Sequence, residues 1–286
     1  MEGKVKQNYK FAIATADHAS DTAPIVLVGS ICENIKKAAE LGYDAIEIHL
    51  RENSDIDYEQ ILKTLQSNKV RISAVVTGRL AVQENITLTD VAPENIEKII
   101  RGLKQYADIA QRFNADMIIG WIRGQILDNQ SKDEYEQILA KNLKVITQYA
   151  DKKKVKVHIE AINRYELNSL TNAVDTLAFI EKYAIDNAYV HLDTFHMNIE
   201  DADMEKAILM CGDKLGYMHF ADSNRQYPGA GHIDFEKIMI SLKKIKYHGY
   251  FSVECLRIPS YQRAASLAIA NMSRIMDDVE YGNDTI

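Results

Sequence analysis

The runs VKVHIEA at 155–161, AYVHLDT at 188–194, LGYMHFA at 215–221 and YFSVECL at 250–256 share one plan: a short β-branched or apolar stretch carrying, near its end, a side chain able to bind a metal. Four similar runs precede them, KFAIATA at 10–16, AIEIHL at 45–50, RISAVVT at 71–77 and ADMIIGW at 115–121. Between the runs lie segments with apolar residues at helical spacing, clearest in Ile96, Ile100, Leu103, Ala107, Ala110 and Phe113. Pro93 suits the first turn of that helix, Gly42 and Gly249 read as helix stops, and Gly102 falls inside a helix. Strand starts recur about every 30–40 residues, the size of one βαβ unit. Eight strands alternating with helices imply a parallel sheet, and the count predicts one (β/α)₈ barrel domain over residues 1–286. An open doubly wound sheet would carry G-x-G-x-x-G after its first strand; here residues 17–25 read DHASDTAPI.

Composition narrows the function classes. Apolar residues make up 47% and charged ones 26%, ordinary for a globular protein. The formal charge of −7, from 34 basic and 41 acidic residues, argues against a nucleic-acid partner, whose phosphates need a basic face. The lysines at 152–154 and 243–244 read as solvated helix ends, where cations complement the dipole. Cys32, Cys211 and Cys255 form no C-x-x-C and suit a reducing compartment. The N-terminus has no apolar signal-like region and no stretch is long enough to span a membrane, so a cytoplasmic location is expected.

The chemistry gathers at the strand ends. Glu160, Asp193, His219 and Glu254 are spaced by 33, 26 and 35 residues, close to one repeat unit each. The C-terminal strand ends of such a barrel surround one cavity, so the four side chains are expected to converge there. Each alone could be a buried polar group satisfied by hydrogen bonds, but four in succession would require four separate accommodations of a costly buried charge. Three carboxylates and one imidazole form an oxygen-rich site suited to Mn²⁺, with Co²⁺ or Mg²⁺ as alternatives, rather than a closed thiolate zinc site. Glu166, His196 and Arg225 follow these ligands in βα loops, where barrel enzymes hold substrate. His158 and His191, two residues before a ligand, should point into the barrel beneath the ion. His18, His49, His232 and His248 show no partner pattern, although His232 lies in the loop PGAGHIDF at 228–235.

These strings resemble the xylose-isomerase-like barrel superfamily and, within it, the ketose 3-epimerases. The resemblance rests on E-x-x-N-R-Y-E at 160–166, LDTFHMNIED at 192–201, H-x-x-x-x-x-R at 219–225 leading into PGAGHIDF, and V-E at 253–254. It implies that Glu160, Asp193, His219 and Glu254 hold the ion, that Glu166, His196 and Arg225 hold the C1–C3 end of a sugar, and that Glu160 and Glu254 double as the acid–base pair. In the first half, VVTGRLAVQENITLTD at 75–90 and IIGWIRG at 118–124 look more like the 5-keto-L-gluconate epimerase branch, as does HFADSNR at 219–225. Barrels of this resemblance often pair, so a homo-oligomer is a further expectation.

Epimerisation beside a ketone removes a proton from one face of a carbon and returns one to the other face. A metal that polarises the carbonyl stabilises the enediolate between the two steps, and carboxylates on opposite sides can exchange base and acid roles. An aldose–ketose isomerase would use the same groups and return the proton to the neighbouring carbon. A nuclease of the endonuclease IV type would need extra histidines, and the third strand ends VVTGR without one. Arg79 and Arg123 follow the third and fourth strands, and Arg225 and Arg164 approach from other loops. Guanidinium forks suit carboxylate or phosphate, so these arginines predict a keto sugar acid as preferred substrate, ahead of a sugar phosphate and a neutral ketose.

Overall fold

The structure is a computed structural model that describes residues 9–50 and 56–281. Its strands are β1 (Lys10–Ala16), β2 (Leu27–Val28), β3 (Ala45–His49), β4 (Arg71–Val76), β5 (Asp116–Ile119), β6 (Val157–Glu160), β7 (Ala188–Asp193), β8 (Leu215–Phe220) and β9 (Tyr250–Val253). They pair in parallel in the order β2-β1-β3-β4-β5-β6-β7-β8-β9, and β1 also pairs with β9. β1 and β3 to β9 therefore close the expected eight-stranded barrel, with the two-residue β2 attached outside the cycle on β1. Most strands stop short of the expected range because the chain leaves the ladder early into a loop or helix: Thr194, next after Asp193, already begins a helix.

The strands are apolar on both faces because helices cover the outside while side chains fill the lumen. The main core joins the outer strand face to the helices, and a smaller cluster of Ala74, Val76, Ile118 and Tyr217 lies apart from it. Helix ends follow local chemistry. Ser30 with Glu33 and Ser131 with Glu134 form capping boxes, each hydroxyl accepting from the backbone N–H of its glutamate. Pro93 opens the helix Pro93–Phe113, which contains Gly102, and Gly42 ends the helix Ile31–Leu41 at φ +88°. Gly249 does not stop a helix. The helix Phe235–Lys244 ends at Ile245, and a Cβ on Gly249 would lie 2.2 Å from the Tyr247 hydroxyl, so the glycine serves close packing instead. Among the described residues no helix is long and apolar enough to cross a membrane.

Candidate active site

The register of the last four strands sets Glu160 beside His191 and Asp193 beside His219, and Glu254 follows directly on β9. Glu160, Asp193, His219 and Glu254 are all buried, each offering one ligand atom within 4.8 Å of the others. His219 Nδ1 lies 3.4 Å from Glu160 Oε1, 3.4 Å from Glu254 Oε2 and 3.9 Å from Asp193 Oδ2. That nitrogen is buried without a hydrogen-bond partner, while Nε2 on the far side of the ring lies 2.8 Å from Glu47 Oε2. An imidazole nitrogen aimed at three carboxylates is a donor set that fits a divalent cation. Gly120, just past β5, makes the room: a Cβ there would lie 2.6 Å from Glu160 Oε2.

The environment separates the two glutamates. Burial, with the charges of Glu160 and Asp193, pushes Glu254 up to about 7 despite His219 and Arg225. Burial also opposes ionisation of Glu160, but His191 and His219 outweigh it and hold that carboxyl below the usual range. Asp193 is likewise lowered, burial being outweighed chiefly by Arg225. The Arg225 guanidinium, its backbone in the left-handed region at φ +60°, donates to both Asp193 and Glu254 and lies 4.7 Å over the Phe195 ring. Asp222 shapes that loop by accepting from the backbone N–H groups of Ser223, Gly229 and Ile233.

Glu166 and His196 meet across Asn163, whose amide lies 3.2 Å from Glu166 Oε1 and 2.6 Å from His196 Nδ1. Trp121 Nε1 donates to the other Glu166 oxygen at 3.1 Å, and His196 Nε2 stands 3.8 Å from Asp193 Oδ2. These two sequence-derived candidates therefore border the four-residue cluster. A cavity of about 1120 Å³ opens beside it, lined by Asp17, Asn34, His49 and Arg79 among others.

Residues 35–273 match the family model of xylose isomerase-like TIM barrels. L-ribulose 3-epimerase of Methylomonas sp. (strain DH-1) is 33% identical over 223 residues, 77% of this chain and 76% of that protein. This chain belongs to the xylose isomerase-like TIM barrels, in the ketose 3-epimerase family. It is a carbohydrate epimerase, an isomerase by reaction class. D-psicose 3-epimerase of Agrobacterium fabrum (strain C58 / ATCC 33970) is 29% identical over 238 residues, 77% of each chain. The crystal structure of D-allulose 3-epimerase from Methylomonas sp. in complex with D-allulose superposes with a TM-score of 0.78 at 25% identity, covering 93% of this chain and 97% of that one.

Several residues of the epimerase depart from expectation. Arg123 does not reach the cavity. It is 0% exposed in the 3₁₀ turn Trp121–Arg123, and its guanidinium donates to the backbone carbonyls of Glu160, Ser169 and Leu170. It ties the end of β6 to the loop that carries Glu166, so an anionic substrate end does not meet it. Arg79 does line the cavity but is engaged by Asp17 at 2.6 Å and by the His49 carbonyl at 3.1 Å. Arg164 forms a two-pronged pair with Glu200. His49, expected to lack a partner, lies 2.9 Å from Glu47 Oε1 and 3.8 Å from Glu254 Oε1. Glu47 is missed by the strand-end reading, although an acid inside the apolar run AIEIHL is the same kind of signal that marks the four cluster residues. His158 and His191 are fully buried, as expected for lumen residues. His158 pairs with Asp116 at 2.9 Å, and His191 is pushed down to about 3 by burial and then by His219, its ring lying 4.2 Å from that of His219. His232 contacts Ser223 Oγ at 3.0 Å within its loop.

Proposed function

We propose that this epimerase inverts the carbon next to the ketone of a neutral ketose, carbon 3 as in the related L-ribulose and D-psicose enzymes, around one divalent ion. Mn²⁺ is the expected ion, with Co²⁺ or Mg²⁺ as substitutes. The observation that carries this reading is that Glu160 and Glu254, from β6 and β9, both approach one His219 nitrogen at 3.4 Å. A bound ion would polarise the ketone and the adjacent hydroxyl. The chain's own residues do the rest. One glutamate takes the proton from the substrate carbon and its electrons pass into the enediolate; the other, carrying a proton, gives it to the opposite face. Glu166, His196 and Arg225 border the same space and would hold the C1–C3 end, with Asn163 fixing the first two.

A neutral substrate replaces the keto sugar acid expected from the sequence: Arg123, Arg79 and Arg164 are committed to carbonyls, Asp17 and Glu200, and the charge of Arg225 is already answered by Asp193 and Glu254, leaving its remaining N–H groups for sugar hydroxyls. The deciding experiment follows neutral ketoses, keto sugar acids and sugar phosphates in D₂O by proton NMR with added Mn²⁺. The expected outcome is one deuterium at the epimerised carbon of a neutral ketose, and no reaction with a chelator. An aldose product would make the enzyme an aldose–ketose isomerase, and faster turnover of an acid would restore the anionic reading.

A further inference from the structure

Glu47 is a buried acid beside the cluster that the reaction scheme leaves unused. It is 0% exposed in the middle of β3 and is held from several directions. Its Oε2 accepts from Ser252 Oγ of β9 at 2.9 Å and lies 2.8 Å from His219 Nε2 of β8, while its Oε1 faces His49 Nε2 at 2.9 Å. Thr15 of β1 donates to its backbone carbonyl at 2.9 Å. A buried carboxylate is costly unless such partners satisfy it. His49 Nε2 continues the chain of contacts to Glu254 Oε1 at 3.8 Å.

We infer that Glu47 is a positioning residue for the metal centre: it keeps the His219 ring in the tautomer and orientation that present Nδ1 to Glu160, Asp193 and Glu254. An imidazole offers one lone pair, and the partner of its other nitrogen decides which. With Nε2–H directed to Glu47, the lone pair falls on Nδ1, the atom that has no hydrogen-bond partner and faces the three carboxylates. The carboxylate behind the ring also raises its strength as a ligand.

This inference rests on the divalent-ion reading above, and the experiment separates the two. Glu47→Gln keeps the shape of the side chain, removes its charge, and can turn its amide N–H₂ toward Nε2. It is expected to weaken Mn²⁺ binding roughly 10–100-fold by chelator competition, with the metal-free melting temperature little changed. His49→Gln, which changes the partner of Glu47 Oε1 but leaves Oε2 facing His219, should cost a few-fold. In ¹⁵N-histidine-labelled protein saturated with Mg²⁺, the unsubstituted chain should show His219 protonated at Nε2, and Glu47→Gln should lose that resonance. Mn²⁺ affinity unchanged in Glu47→Gln overturns the inference, as does His219 protonated at Nδ1 in the unsubstituted, loaded protein, a measurement that needs no variant to fold. Two ions per chain, falling to one in His49→Gln, would make Glu47 a ligand and also overturn it. An unsubstituted chain that binds no divalent ion at all would instead sink the metal reading itself.

Discussion

The two halves of the barrel end their strands differently. From β6 onward each strand delivers one metal-capable group to the mouth: Glu160, Asp193, His219 and then Glu254 just past β9. In the first half, β1 ends on Ala16, β4 is followed by Thr77 and β5 by Gly120, so these ends leave space or pair with backbone. Thr77 Oγ1 donates to the Ile118 carbonyl, and Gly120 leaves room for the Glu160 carboxylate. β3 is the exception, and Glu47 and His49 act from below or beside the cluster. One half holds the cluster of three carboxylates and an imidazole, and the other supplies the cavity and the supports. The same closed sheet can do both because each strand end is an independent position around one rim.

The sharpest way to break that division is at the reacting groups. Glu254→Gln and Glu160→Gln should each lower epimerisation by roughly 10³–10⁴-fold, the scale of a lost general acid or base. One of them can retain deuterium exchange in one substrate direction while failing to epimerise. Asp193→Asn should also lose metal, since ligation depends on the carboxylate charge. Full epimerisation by either glutamine variant, measured by NMR, would remove the two-carboxylate scheme.

The supporting half is tested next. Arg123→Ala takes the guanidinium donor from three buried carbonyls, of which Leu170 keeps a long contact from Thr176 Oγ1 at 3.5 Å; at about 1–3 kcal/mol for each carbonyl left unpaired, a loss of about 4 kcal/mol in denaturant unfolding is expected. Arg123→Lys cannot reproduce the fork and should recover only part of it. If Arg123→Ala were fully stable and instead raised KM for acids alone, the arginine would belong to substrate binding.

Gly120→Ala separates support from stability. The new Cβ would meet the buried Glu160 Oε2 at 2.6 Å and Ile162 Cδ1 at 3.2 Å, so the carboxylate must shift and the melting temperature should fall modestly. A carboxylate displaced by about 1 Å is expected to cost roughly 10²-fold in kcat/KM. A fully active Gly120→Ala would show that Glu160 need not sit where β6 places it.

What the sequence could and could not reveal follows the same division. The four cluster residues were legible because a charge at the end of an apolar strand is expensive, and equal spacing brings such ends together. Glu47 carried the same mark, but its meaning depends on His219, 172 residues away in the chain, and sits mid-strand rather than at an end. Arg123 misled because sequence places a residue after a strand without saying whether its side chain turns to the cavity or back under the loop. Gly249 misled because helix stops and close-packing sites both select glycine. Existence and order of the strands needed only local apolar pattern, whereas side-chain direction in a 3₁₀ turn needed the whole fold.

The smallest expected effect sharpens the comparison on the reacting side, where unanswered charge lies outside the site as well. Asp201 follows the helix Thr194–Glu200, an end at which a carboxylate opposes the dipole. Its Oδ1 accepts from the Ala173 N–H at 3.3 Å, but its Oδ2 is buried without a partner. Burial first, then Glu200 and Asp175, push this carboxyl up to about 6, against an ordinary 3.8. The folded chain therefore holds the proton more tightly than the unfolded chain. The penalty is absent below pH 3.8, where both states are protonated, grows as pH rises toward 6, and stays constant above. Asp201→Asn keeps an acceptor for Ala173 and removes the titration. It should leave stability nearly unchanged at pH 3.5 and raise it by about 1 kcal/mol at pH 7.5, after allowing for the part-exposed oxygen. Chemical denaturation at the two pH values reads the difference directly, and a stabilisation equal at both would show that Asp201 is not the group that titrates.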